Sequence, residues 1–116
     1  HTGGITQLRK IATLGEAYHV PIAPHCVTTD LGATASLHCS AAVPFFLIHE
    51  YYPSITPPGL VEKNWSIDKD GYASLPEGTG LCCEINEMKL EEISKSPSKP
   101  EWPTRGRMPD GSIADY

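Results

Sequence analysis

Two ends of apolar stretches are where this sequence could carry out proton chemistry. VPIAPHC, residues 20–26, ends in His25 and Cys26, and VPFFLIHE, residues 43–50, ends in His49 and Glu50. Histidine titrates closest to neutrality of all side chains, and a carboxylate beside it completes a general acid/base set. By type and place alone, His25 can be a packing residue, a metal ligand or a proton carrier. A lone histidine after a strand is more often a loop residue bonded to the backbone. In parallel α/β folds, ligands bind at the carboxyl ends of the strands. If the two stretches are adjacent strands, His25 and Glu50 reach one rim of one pocket.

The other candidates read differently. His49 alternates with Glu50 and is expected to point away from that rim as a structural residue. His38 falls inside a run of small residues and reads as a satisfied helix or interface residue. His19 precedes the first strand, at its opposite end, and His1 would line the pocket only if a strand preceded it. A Cys26–His25 nucleophilic pair is disfavoured because sequence neighbours diverge in space. The four cysteines, Cys26, Cys39, Cys82 and Cys83, contain no C-x-x-C pair. Cys82 and Cys83 are adjacent, so on a strand they face opposite ways. Reduced, structural thiols fit better than a disulfide framework. Positions 38 and 39 project about 100° apart on a helix, so a zinc site from His25, Cys26, His38 and Cys39 lacks the usual ligand spacing.

The elements that must hold these residues follow from periodicity. Residues 5–18 place Leu8, Ile11, Ala12, Gly15 and Tyr18 on one helical face, and the small Gly15 suits close approach to another element. HVPIAP reads as a short strand, apolar on both faces as in a covered parallel sheet. Thr29 or Asp30 caps a helix of small residues running to Ala42, and VPFFLIHE is a second buried strand. Helix, strand, helix, strand with short connections is the alternation of a parallel α/β protein. Two parallel strands close neither a sheet nor a barrel, and the first helix lacks a preceding strand. A chain that begins His1-Thr2-Gly3-Gly4 is therefore expected to be a fragment or a processed product.

Beyond Tyr51 the character changes. YYPSITPPG is a proline-rich loop, Lys69-Asp70-Gly71 and residues 76–80 are turns, and LCCEI is a strand. Asn86 is expected to cap a helix over Glu87–Lys95. The Pro- and Gly-rich tail is expected to lie extended, anchored by Trp102. The expected division is 1–58 and 59–116.

Composition excludes several classes. The net charge is −5 and the few basic residues are scattered, which argues against a nucleic-acid partner. No apolar run approaches the ~20 residues needed to span a bilayer, and the start carries no signal-like segment. A cytoplasmic location is the expectation.

HTGGITQLRKIATLGEAYHVPIAPHC resembles the late barrel segment of the mandelate racemase group in the enolase superfamily, in particular acid-sugar dehydratases of the galactonate and mannonate types. FFLIHE resembles the end of their last barrel strand, GLCCEINEMKLEE their segment with a short helix, and KPEWPTRGRMPDGSIADY their chain ends. The resemblance implies an α/β fold: the C-terminal portion of a (β/α)7β modified TIM barrel, followed by the C-terminal part of an α+β capping domain. It implies a Mg²⁺-dependent lyase that abstracts the proton α to a carboxylate and eliminates the β-hydroxyl, giving a 2-keto-3-deoxy acid sugar.

By the same resemblance, His25 acts as base or acid and Glu50 hydrogen-bonds the substrate or its intermediate. His1, Thr29 and Tyr51 are further substrate-binding candidates. The family's Mg²⁺ ligands and the Asp that pairs with the His25 equivalent lie on strands upstream of His1, so no metal ligand is expected in this chain. V-T-T-D-L-G after APHC departs from the P-L-G-P of many relatives, which leaves the sugar acid open, as is dehydration against racemisation. The implied partners are a small sugar acid and further copies of the whole protein. The competing reading is a truncated, non-catalytic fragment acting through association with a complete subunit or a complementary fragment.

Overall fold

The computed structural model describes residues 2–52, 55–63 and 65–95. His1 and the tail with Trp102, both singled out by sequence, lie outside the described residues.

The first helix, α1, spans Ile5–Ala17. It ends because His19 takes a left-handed conformation with φ of 55°. The backbone N–H of Val20 then donates to Gly15 O at 2.8 Å and that of His19 to Glu16 O at 3.0 Å. These two bonds form a Schellman-type end that satisfies helix carbonyls otherwise left over. Of the expected apolar face, Ala12 is buried and Leu8 and Gly15 are half-buried, whereas Ile11 is 47% and Tyr18 73% exposed. Among the described residues, Ala12 is the one residue of α1 that is buried.

The second helix, α2, spans Asp30–Ala41. The Thr29 hydroxyl accepts from the Gly32 N–H at its start, and Asp30 adds negative charge in the first turn, where the helix dipole favours it. Its small residues let neighbours approach: Ala33 and Thr34 are essentially inaccessible to solvent.

Residues 20–24 and 45–50 run parallel, as the alternation predicts. Ile22 N–H donates to Phe45 O at 2.8 Å, Leu47 N–H to Ile22 O at 2.9 Å and Glu50 N–H to Pro24 O at 3.4 Å. The pairing amounts to one parallel bridge, Ile22 to Phe46, rather than two full strands. Pro21, Pro24 and Pro44 each remove a donor from the ladder. The expectation that both stretches are buried is also corrected: Val20, Phe46, Leu47 and Ile48 are exposed. Helices α1 and α2 cover only part of this parallel pair.

Beyond the parallel pair, β1 (Val61–Lys63) and β2 (Cys83–Ile85) pair antiparallel with Val61 opposite Ile85 and Lys63 opposite Cys83. Between them, the Asp68 carboxylate accepts from the N–H groups of Asp70 and Tyr72, closing the expected turn. Helix α3 spans Glu87–Lys95, and Asn86 Oδ1 accepts from Lys89 N–H as its cap. The core joins both parts: Cys26, Ala33, Leu37 and Trp65 form one buried cluster, with Tyr51 packed on its edge.

Candidate active site

The two ionisable ends meet. His25 Nδ1 lies 2.5 Å from Glu50 Oε2. A carboxylate only accepts, so the imidazole Nδ1–H is the donor. The backbone N–H of Cys26 donates to the same oxygen at 3.3 Å. The pair sits at the carboxyl ends of the two parallel segments and remains open, with side chains 71% and 50% exposed. An imidazole held through Nδ1 by a carboxylate can exchange a proton through Nε2.

The flanking residues face the other way and anchor on α2. Cys26 is buried, and burial, the largest influence, pushes its thiol up despite a hydrogen bond with Ser36. A buried neutral thiol beside a histidine already engaged with Glu50 is no nucleophile. His49 turns toward α2, where Nδ1 lies 3.1 Å from Ser40 Oγ. Ser40 gives its own proton to Ser36 O at 2.9 Å, so the hydroxyl accepts and His49 Nδ1 carries the hydrogen. His49 Nε2 is buried with no partner among the described residues. Burial holds the His49 imidazole below its ordinary range, with the nearby Glu50 charge opposing.

Tyr51 also points to α2. Its hydroxyl accepts from Lys63 Nζ at 2.8 Å and lies 3.5 Å from Asp30 Oδ1. Lys63 Nζ lies 3.5 Å from Asp30 Oδ1 and 4.3 Å from the Trp65 ring centre. Burial alone would lower the Lys63 ammonium, but its bond to Tyr51 and the Asp30 charge outweigh this and leave it raised.

Thus the structure brings His25 and Glu50 together, while the Thr29 hydroxyl is occupied in capping α2 and the Tyr51 hydroxyl in binding Lys63. His38 is satisfied by Leu81 O at 3.2 Å. Sequence reasoning missed Lys63, Trp65 and Ser40. Period-2 alternation could have pointed to the first two, since positions 61, 63 and 65 have the same parity in sequence. A groove of about 480 Å³ runs along β1 and β2 past Glu62 and Glu84 and includes neither His25 nor Glu50.

Among the described residues, no three His, Cys, Asp or Glu side chains converge to hold a metal ion. Magnesium requires several oxygen ligands in near-octahedral array, and the His25–Glu50 pair supplies one carboxylate already committed to an imidazole. These residues do not by themselves fit a Mg²⁺ site. No helix among the described residues is long and apolar enough to cross a membrane.

Comparison with known proteins shows the family of the chain. The chain is 33% identical over its whole length to a D-galactonate dehydratase of Pectobacterium atrosepticum and 34% identical to one of Xanthomonas campestris, and it spans 32% of the length of each. Among solved structures, 78% of the chain superposes on a putative dehydratase from Mesorhizobium loti with a TM-score of 0.68 and 33% identity, covering 25% of that protein. A mandelate racemase-subgroup enolase from Agrobacterium tumefaciens matches over the same share with a TM-score of 0.66 and 33% identity, again covering 25% of its chain. Residues 1–89 match the family model described as Enolase C-terminal domain-like. The chain belongs to this family, within the enolase superfamily, and is similar to its mandelate racemase-like dehydratases.

Proposed function

We propose that the protein to which this sequence belongs is an acid-sugar dehydratase, and that this chain contributes its late-barrel rim. The observation that carries the reading is the 2.5 Å contact between His25 and Glu50 at the carboxyl ends of two parallel segments. The sugar acid loses the proton α to its carboxylate and then the hydroxyl on the neighbouring carbon, and the resulting enol becomes a 2-keto-3-deoxy acid. His25 carries a proton through Nε2. Glu50 orients the ring, balances its charge when protonated and offers its second oxygen to a substrate hydroxyl. Names of the similar proteins, D-galactonate dehydratase and putative dehydratase, support the reaction class.

The reading includes Mg²⁺ held by carboxylates outside the described residues, a cytoplasmic location and a homo-oligomeric whole protein. No step above runs through the ion. His1, Thr29 and Tyr51 stand as substrate-side candidates; the Thr29 hydroxyl, which accepts from Gly32 N–H, keeps its own O–H to donate, and the Tyr51 hydroxyl is already engaged by Lys63.

The test is a chimera in which this chain replaces the matching segment of the Pectobacterium D-galactonate dehydratase. With Mg²⁺ and a panel of aldonates it is expected to yield 2-keto-3-deoxy product, and His25→Asn is expected to lower its formation by about 10²–10⁴-fold. A folded chimera that turns over equally well with Asn at position 25 would sink the assignment. The isolated 116-residue chain is expected to give no product above background.

A further inference from the structure

We propose that Lys63 is a positioning residue for Glu50, acting through Tyr51. The proposal rests on the reading of His25 and Glu50 as the site, but its test reads their geometry rather than activity.

Glu50 is exposed at the rim, and its carboxylate has many rotamers available. Its Oε2 takes the Nδ1–H of His25 and the N–H of Cys26, and whether it reaches them depends on the backbone that carries it. That backbone is pinned on one side by His49 against Ser40 of α2. On the other side, Tyr51 is locked by three groups. Lys63 Nζ donates to its hydroxyl at 2.8 Å, the Asp30 carboxylate lies beside the same hydroxyl, and Trp65 meets its ring edge-on with centres 5.3 Å apart. Lys63 is the centre of this cluster. Its ammonium lies within 5.1 Å of the Tyr51 ring centre, 4.3 Å of the Trp65 ring centre and 3.5 Å of Asp30. An ammonium held between two aromatic faces and a carboxylate is well placed to fix the ring it bonds. Lys63 ends β1, so the segment beyond the barrel reaches Glu50 by a chain of direct contacts: Lys63 to Tyr51, and Tyr51 to Glu50 through one peptide bond. Removing the ammonium frees Tyr51 to rotate, and Glu50 loses its aim at His25 Nδ1.

The readout is the ring tautomer of His25, measured on this chain from imidazole ¹⁵N shifts at about pH 8.5, where an ordinary histidine is neutral. Glu50 selects the Nδ1–H form, whereas an unrestrained imidazole favours Nε2–H. Glu50→Ala sets the unpositioned limit. Lys63→Met and Tyr51→Phe are expected to move His25 at least about halfway to that limit. Lys63→Arg, which can still donate to Tyr51 Oη, is expected to restore the wild-type pattern. Far-UV circular dichroism of each variant is expected to match that of the natural chain and reports that the fold persists.

An unaltered His25 in folded Lys63→Met and Tyr51→Phe overturns the proposal, as does an arginine variant indistinguishable from the methionine one. If both variants lose the folded circular-dichroism signal as His25 reaches the free-histidine pattern, Lys63 is a folding residue and the proposal also fails. If Glu50→Ala itself leaves His25 unmoved, the failure lies with the His25–Glu50 site and not with Lys63 alone.

Discussion

The indole Nε1–H of Trp65 donates to the Thr34 hydroxyl across 2.8 Å, joining the segment beyond the barrel to the most buried residue of α2. Thr34 passes its own proton to Asp30 O at 2.7 Å, so the hydroxyl is fully used. Thr34→Val keeps the shape but strands the indole N–H, a loss of about 1–3 kcal/mol. Trp65→Ala removes the largest member of the core cluster and is expected to cost about 3–5 kcal/mol. Urea unfolding followed by circular dichroism measures both, and equal small losses would show that the cluster does not hold the two parts together.

Gly15 and Ile22 are in similarly close contact. A Cβ at position 15 would lie 2.9 Å from Ile22 Cδ1 and 3.0 Å from the Val20 carbonyl. Alanine would gain up to about 1 kcal/mol of helix propensity, but overpacking against backbone costs about 1–3 kcal/mol. Gly15→Ala is therefore expected to lower the thermal midpoint, and a raised midpoint would contradict the contact.

The pH dependence of stability follows from His49. Its folded-state affinity for a proton is below that of an ordinary histidine because burial penalises the charged ring. The unfolded chain thus binds more protons just below the ordinary histidine pKa of about 6.5, so this contribution is complete above that pH and is lost as pH falls below it. Comparing unfolding free energies at about pH 7.5 and 5.5 should show a steeper fall for the natural chain than for His49→Gln. An identical slope would remove His49 as the cause.

His25 and Glu50 should behave in the opposite way. Their contact is exposed, and such pairs contribute about 0–1 kcal/mol. His25→Asn or Glu50→Gln is expected to leave the unfolding midpoint nearly in place, while lowering turnover of the active chimera by about 10²–10⁴-fold. A large stability loss with intact turnover would reverse their assigned roles.

Glu62 stands directly opposite Glu84 in the β1–β2 pair. Like charges in that position repel, and an opposite pair is worth about 0.2–1 kcal/mol. Glu84→Lys is expected to stabilise the chain by about that amount at low salt, with the gain shrinking as salt is added.

The legible parts of this molecule are those whose signals are local. The helix over Glu87–Lys95 and its Asn86 cap follow from adjacent residues, as does the turn closed by Asp68. The rim position of His25 and Glu50 followed from alternation and the rule for parallel strands. The burial of Val20, Phe46 and Leu47 was misjudged because apolar composition signals a need for cover without stating what supplies it. The extent of the strands is not legible because prolines read along a sequence as boundaries, whereas in the fold Pro21, Pro24 and Pro44 are missing donors and the pairing is one bridge. The Lys63 cluster joins residues 30, 51, 63 and 65, and no window along the chain contains that association.

At residues 49 and 50, one side chain grips α2 and the next faces His25. Parity, rather than identity alone, therefore decides which residue is reagent and which is anchor. A substitution there disturbs one position. The loss of a single residue before His49 would set Glu50 against Ser40 and Tyr51 opposite His25, and the gain of one would set Ile48 against Ser40 and His49 opposite His25. In this stretch, change by replacement is open to evolution and change by length is closed.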